Sequence, residues 1–136
     1  MKKVEDLDFI RNHLSEKPED LALKYARDPE KRILIHQIAL RQQIRKKLPE
    51  WYDNLDLIMP DRINAEQASS EFTAKLKASL LGGDQLVDGT GGFGVDTYYL
   101  SKNFKHPFYY EVNRELAEIA KHNFSQLKAS INVRAG

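Results

Sequence analysis

The stretch Leu86-Val87-Asp88-Gly89-Thr90-Gly91-Gly92-Phe93-Gly94-Val95-Asp96 constrains this chain more than any other. Two β-formers lead into an acid, then a glycine-rich loop, then an acidic start to a new segment. Glycine is needed where a backbone turns with φ > 0 or lets another group approach without a Cβ in the way. A strand that passes through such a loop into a helix builds the nucleotide-binding corner of a doubly wound α/β sheet. The sequence therefore predicts an α/β fold with a binding site at the end of its first strand.

Two spacings overlap in the loop. Gly89-x-Gly91-x-x-Gly94 fits the dinucleotide pattern. Asp88-x-Thr90-x-Gly92-x-Gly94 is similar to the glycine-rich motif of class I S-adenosylmethionine-dependent methyltransferases, with Thr at its first Gly. Charge separates the two. An anionic pyrophosphate favours helix N-terminal N–H groups without a carboxylate nearby. Here Asp88 ends the strand and Asp96 opens the helix, so carboxylates flank the loop. A ligand carrying a sulfonium and an ammonium group suits that charge better, since opposite charges attract more strongly as water is excluded. Asp96 also fits an ordinary helix cap.

At 136 residues, 41% hydrophobic and 30% charged, the chain has the make-up of a globular protein with room for one domain, or a small helical unit plus part of a larger fold. The net charge of +1 gives no overall field toward nucleic acid or an anionic membrane. The absence of cysteine excludes disulfides, thiolate metal sites and a thiol nucleophile, and fits a reducing compartment. The start, Met1 to Asp8, is charged where a signal peptide would be apolar. No apolar run approaches the ~18 residues of a membrane span. A cytoplasmic, soluble protein is the expectation, with no membrane partner and no metal site; nothing in the sequence fixes an oligomeric state.

Upstream, helical spacing predicts three helices: about Val4 to Leu14, from Pro18 to about Asp28, and from Pro29 to about Lys47, a small bundle over residues 1–48. Pro49 to Asn54 reads as a boundary and Leu55 to Met59 as a linker. Asn64 reads as an N-cap with Gln67 three residues on. The following helix carries Ala65, Ala68, Phe72, Leu76 and Leu80 and ends at Gly82-Gly83. Strand one (about Gln85 to Asp88) leads through the loop to a helix over about 95–103. Phe108 to Glu111 forms strand two, Glu115 to Leu127 a helix, and Ile131 to Arg134 strand three.

From Lys31 to Lys47 there are six basic residues and no acid. Such a run is a solvated face complementing a helix C-terminus, or a patch that contacts RNA phosphates. Trp51 and Tyr52 pack between the two units or stack on a base. His36 reads as structural. Glu111 ends strand two, where a nucleotide-binding α/β unit places the carboxylate that holds the ribose hydroxyls; one carboxylate accepts two hydroxyl donors. Asn113 caps the next helix or lies beside the adenosine.

From about Asn64 onward the chain resembles the start of a class I methyltransferase domain. The likeness is to bacterial RNA methyltransferases whose loop reads Asp-x-Thr-x-Gly-x-Gly followed by an acid, here Asp88 to Gly94 with Asp96 after it; the guanine-N2 16S rRNA enzymes and trimethylguanosine synthase-like enzymes share it. Gln67-Ala68-Ser69-Ser70-Glu71 resembles a bacterial group carrying a THUMP-like domain. The resemblance implies S-adenosylmethionine as cofactor, with Asp88, Gly89, Thr90, Gly92 and Gly94 at its methionine end. It implies Glu111 on the ribose and Ser69 and Ser70 near the methionine carboxylate, although helix capping also accounts for the two serines.

The expected architecture is thus a helical N-terminal domain (1–58) followed by an incomplete Rossmann-like methyltransferase domain (59–136). The family's adenine-contacting acid after strand three and its Asp/Asn-Pro-Pro-type motif after strand four are not in the chain, and three parallel strands are poorly covered. The expectation is an N-terminal piece of a longer enzyme that acts on RNA, inactive by itself, with no catalytic residue of its own. The rivals are an NAD-type dinucleotide-binding domain and a non-catalytic helical module that docks RNA or a partner.

Overall fold

Proline followed by acid sets three successive helix starts in the N-terminal part. In the computed structural model, which describes residues 4–136, α1 (Val4–His13) is followed by α2 (Pro18–Lys24), α3 (Pro29–Ile44) and α4 (Pro49–Asp53). Met1–Lys3, part of the charged start, lie outside the described residues. Proline at the first turn lacks an N–H that the helix cannot use there, and the acid after it faces the positive end of the dipole. Asp28 caps α3 by accepting the N–H groups of Glu30 and Lys31, each at 3.1 Å. α1 and α2 pack on α3 around Phe9, Ile10, Leu21, Leu34, Ile35 and Ile38. α3 stops at Ile44, short of the expected Lys47, and α4 fills the expected boundary because Pro49 restarts a helix at once.

The stretch that follows α4 has no ladder of its own, so its backbone groups need other partners. Side chains from both halves supply them. Arg41 on α3 is fully buried. Its Nη1 donates to the carbonyls of Tyr52 and Asn54, each at 3.1 Å, and its Nη2 to those of Leu55, at 3.1 Å, and Leu57. Gln37 holds both backbone groups of Met59, at 2.9 and 3.1 Å. Lys47 reaches the carbonyls of Ala65 and Glu66 at 2.8 Å. Arg41 and Lys47 of the basic run are therefore internal scaffolding. One core cluster also joins Leu40, Ile44, Leu48 and Trp51 to Leu57, Ala74, Phe93 and Tyr99, across residue 58.

The single helix expected from Asn64 is two helices, α5 (Arg62–Gln67) and α6 (Glu71–Leu80). Asp61, not Asn64, caps the first, accepting the Asn64 N–H at 2.8 Å. Ser70 caps the second through the Thr73 N–H at 3.0 Å. Two short polar side chains that compete for backbone N–H groups three residues apart from their own positions explain the break. α6 ends on Leu81 in an extended conformation rather than on a left-handed glycine. Phe72, Leu76 and Leu80, which recur at helical spacing, are 78%, 51% and 76% exposed.

The sheet is parallel with order β1 (Gly83–Asp88), β2 (Phe104–Glu111), β3 (Asn132–Ala135). Val87 lies beside Phe108 and Asp88 beside Tyr109; Glu111 lies beside Ala135. α7 (Val95–Ser101) joins β1 to β2 and α8 (Arg114–Gln126) joins β2 to β3, the crossovers a parallel pair requires. Asn113 caps α8, accepting the Leu116 N–H at 3.1 Å. Among the described residues no helix is long and apolar enough to cross a membrane.

Candidate functional site

The loop between β1 and α7 keeps its shape through contacts that single out its glycines for different reasons. Gly91 donates its N–H to the Tyr110 carbonyl at 2.9 Å, and a Cβ there would lie 2.1 Å from the Tyr109 ring. Gly92 and Gly94 have φ of +55° and +91°, a region that side chains strain to enter; a Cβ on Gly94 would also meet Phe124 at 2.7 Å. The buried Tyr109 donates its hydroxyl to the Gly92 carbonyl at 2.6 Å. Its burial, with Glu111 and Asp88 close by, holds that phenol well above its ordinary pKa, so it stays a neutral donor. Gly89 differs: nothing lies within 4 Å of where its Cβ would be. Packing explains Gly91 and Gly94, and open space explains Gly89.

That space is a cavity of about 650 Å³ at the C-terminal ends of the strands, where α/β sheets bind ligands. The whole loop from Asp88 to Asp96 lines it, with Glu111 and Val112 from the end of β2. Asn64, Gln67, Ala68 and Ser69 form another wall.

Three carboxylates line this cavity. Asp88 accepts the Thr90 N–H at 3.2 Å through Oδ1 and the buried Thr97 hydroxyl at 2.6 Å through Oδ2, bracing the loop against α7. Asp96 Oδ2 accepts the Ser69 hydroxyl at 2.8 Å and Lys77 Nζ at 3.1 Å, while its Oδ1 is buried without a partner among the described residues. Asp96 is thus inside α7's first turn and bridges to the α5–α6 turn; Gly94 holds the cap position. Glu111 accepts the Gly92 N–H at 3.0 Å through Oε2 and the Asn113 N–H at 3.0 Å through Oε1. Each carboxylate oxygen has two lone pairs, so Glu111 keeps acceptor capacity toward the cavity.

The predicted residues Asp88, Gly89, Thr90, Gly91, Gly92, Gly94, Asp96, Glu111 and Ser69 all line this cavity. Ser70 does not; its hydroxyl is committed to capping α6. Trp51 is buried edge-on against Phe93 of the loop, with centroids 4.9 Å apart, which excludes base stacking by that ring. Sequence reasoning did not single out Asn64 as lining, Lys77 as the partner of Asp96, or Thr97 as that of Asp88. Gln67 and Ala68 stood in the motif next to Ser69 and were the available signal. Among the described residues no three His, Asp or Glu side chains converge as a metal site would require.

The acceptor set suits a cationic nucleoside: a cradle open over Gly89, the carboxylates of Asp88 and Asp96 in the lining, and that of Glu111 at the strand end for a diol. Comparison with known proteins agrees with this fold. No protein-family model and no curated protein sequence matches the chain. Among solved structures, it is similar to a crystal structure described as a "putative methyltransferase from Porphyromonas gingivalis W83", with 27% sequence identity and a TM-score of 0.79. The match covers 98% of this chain and 35% of that one. The fold is that of a methyltransferase-like α/β protein. The chain spans about a third of the length of the neighbour it matches.

Proposed function

We propose that this chain supplies the glycine-loop half of an S-adenosylmethionine site in a methyltransferase that acts on RNA, further polypeptide supplying the rest. The observation that carries the cofactor reading is that Asp88, Asp96 and Glu111 all line one cavity beside an unobstructed Gly89. Three carboxylates and one partly exposed lysine, Lys77, leave the site negative, which favours a sulfonium and an ammonium and disfavours a pyrophosphate. Glu111 would accept the ribose hydroxyls, and the N–H groups of the loop would orient the methionine end. When bound, the cofactor supplies the methyl group; Tyr109, Thr97 and Asn113 hold the loop and its acids in place. The RNA substrate rests on the resemblance of the loop to bacterial RNA methyltransferases. The NAD reading shares the glycine spacing but needs Asp88 and Asp96 to tolerate an anion.

The test is a titration of the chain with S-adenosylhomocysteine, and separately with NAD, followed by amide NMR, which registers binding even in the millimolar range. Shifts confined to Asp88–Asp96 and Glu111–Val112 with S-adenosylhomocysteine, lost in Glu111→Ala, are expected. Shifts with NAD alone, or none at millimolar S-adenosylhomocysteine, overturn the reading.

A further inference from the structure

At the N-terminal end of β2, the far end from Glu111, lies a second cavity of about 280 Å³. It is formed by α7, β2 and the end of α8, and no acidic residue lines it. Lys102, Lys105 and Lys128 supply its charge, and Tyr98 and Phe104 its rings. The three lysines are exposed and the two rings half-buried. Among the described residues the lysines held in ion pairs are Lys75 and Lys77, and these three are in none. The carboxylate that acts on Lys102, that of Glu50, is already held by Lys75 at 2.9 Å and Tyr99 at 3.0 Å. Lys102 Nζ lies 4.8 Å from the centroid of the Tyr98 ring, which also packs on Trp51 at 5.8 Å.

Cations at a helix C-terminus complement its dipole, which accounts for Lys102 at the end of α7. It accounts neither for Lys105, which is on a strand, nor for the backbone of Lys128. The Ala129 N–H donates to the Phe124 carbonyl at 2.9 Å and the Lys128 N–H to that of Ser125 at 3.1 Å, so backbone groups alone close α8. Lys128 has φ of +56°, the one positive φ outside glycine among the described residues, at a place that glycine normally takes. Closing the helix needs no ammonium there, and glycine would serve the fold better. Strain kept at a charged position beside a cavity points to a ligand.

We propose that this cavity takes one nucleotide unit of a single-stranded nucleic acid, with its phosphates on Lys102, Lys105 and Lys128 and its base against Tyr98 and Phe104. Lysines gain affinity for a phosphate chain by releasing its condensed counterions, and aromatic rings take any base by stacking. Size favours a chain over a free cofactor. Sites that enclose a small molecule measure about 300–1,000 Å³, so this one holds part of a longer ligand. The inference stands whichever ligand fills the glycine-loop cavity.

Fluorescence anisotropy of a labelled oligouridylate, titrated with this chain over a range of salt, tests the proposal. Lys102→Ala with Lys105→Ala and Lys128→Gly should lower affinity at least about tenfold at low salt. The same variant should flatten the slope of log affinity against log salt by about 2, since each single-strand phosphate contact contributes about 0.7. Lys128→Gly alone relieves the backbone, so it should raise the melting temperature while it lowers affinity, a split that a merely structural lysine would not give. Lys17→Ala with Lys24→Ala and Arg27→Ala removes as much charge from exposed positions in and around α2 and should keep the wild-type affinity. Absence of binding at low salt overturns the proposal, and so does unchanged affinity in Lys128→Gly. An equal loss in the two triple variants overturns it by assigning the effect to net charge. Inorganic phosphate bound as tightly as the oligouridylate overturns it by assigning a plain anion site. No S-adenosyl compound is present in these titrations, so failure here and failure of the cofactor reading are distinguishable.

Discussion

Glu111 at the end of β2 accepts the Gly92 N–H at 3.0 Å and so ties the second strand to the glycine loop that leaves the first. The same carboxylate also accepts the Asn113 N–H at 3.0 Å at the start of α8. One side chain thereby sets the loop, the strand end and the next helix relative to one another. Glu111→Gln keeps an acceptor and the shape but loses charge, and hydrogen bonds to charged groups exceed neutral ones by about 1 kcal/mol. The expected outcome is a stability loss near about 1 kcal/mol by urea melt, with affinity for S-adenosylhomocysteine down about tenfold, equivalent to 1.4 kcal/mol. Unchanged affinity would remove Glu111 from the site.

Two glycines two residues apart should respond in opposite ways. Gly91→Ala drives a Cβ to 2.1 Å from the Tyr109 ring, and that ring is held by its hydroxyl on the Gly92 carbonyl. Overpacking of this kind costs about 1–3 kcal/mol, visible as a lowered urea midpoint. Gly89→Ala meets nothing within 4 Å and should leave stability within about 0.5 kcal/mol, as surface changes do. Its methyl group enters the cavity, so ligand shifts in the NMR titration should shrink. Loss of stability without loss of binding in Gly89→Ala would contradict this division.

Asn123 on α8 grips Ile58 by both backbone groups, its Oδ1 accepting the N–H and its Nδ2 donating to the C=O, each at 2.8 Å. Asn123 is fully buried, so Asn123→Ala strands two polar groups, each worth about 1–3 kcal/mol when unsatisfied. A total of about 2–6 kcal/mol is expected. Asn123→Asp keeps the acceptor but loses the donor and should fall between. Calorimetric melting of the three proteins decides the order.

The contrast between the loop and this clamp shows what a linear reading reaches. Asp88, the glycines and Glu111 were legible because strand, turn and helix impose fixed spacings on neighbours in sequence. Asn123 and Ile58 are 65 residues apart, and no local spacing announces their pairing. Arg41 stood in a basic run that read as a solvated face or a phosphate patch. Its carbonyl partners, Tyr52 to Leu57, lie 11 to 16 residues on, from the end of α4 into the irregular segment after it. The apolar period of Phe72, Leu76 and Leu80 was read as one helix face, and that face exists. Periodicity gives the face; it does not give what covers it.

Glu71 yields a pH prediction. It is buried and accepts the Glu50 and Trp51 N–H groups at 2.7 and 3.3 Å at the start of α4. Burial, more than any other influence, raises its pKa above the ordinary 4.5. The folded state therefore holds the proton more tightly than the unfolded chain, and stability falls as pH rises from 4.5 through the folded pKa. Glu50 acts in the opposite sense, its pKa lowered by Lys75 and Tyr99, so the wild-type curve mixes both. Glu71→Gln removes one of them. The stability of this variant relative to wild type should increase between pH 4 and pH 7; a difference that stays flat would mean Glu71 does not titrate over that range.

Arg41 decides how the helical half is to be tested for RNA binding. Its guanidinium is fully buried, its pKa is lowered to about 10 by that burial, and it donates to four backbone carbonyls. Removing one partner of a buried charged network costs about 3–5 kcal/mol, so Arg41→Ala should unfold much of the chain at moderate urea. Loss of RNA binding in that variant would say nothing about contact with phosphate. Arg45, four residues on, sits 5.5 Å from the Tyr52 ring centroid and is exposed, a contact worth about 0.5–1 kcal/mol. Arg45→Ala with Lys46→Ala keeps the fold and removes two exposed cations. If this face binds RNA, that pair should flatten the slope of log affinity against log salt by about 1–2 units, because each phosphate contact releases roughly one counterion. An unchanged slope in the folded double variant would exclude these side chains from the RNA interface and leave the α3 C-terminus a scaffold for the segment it encloses.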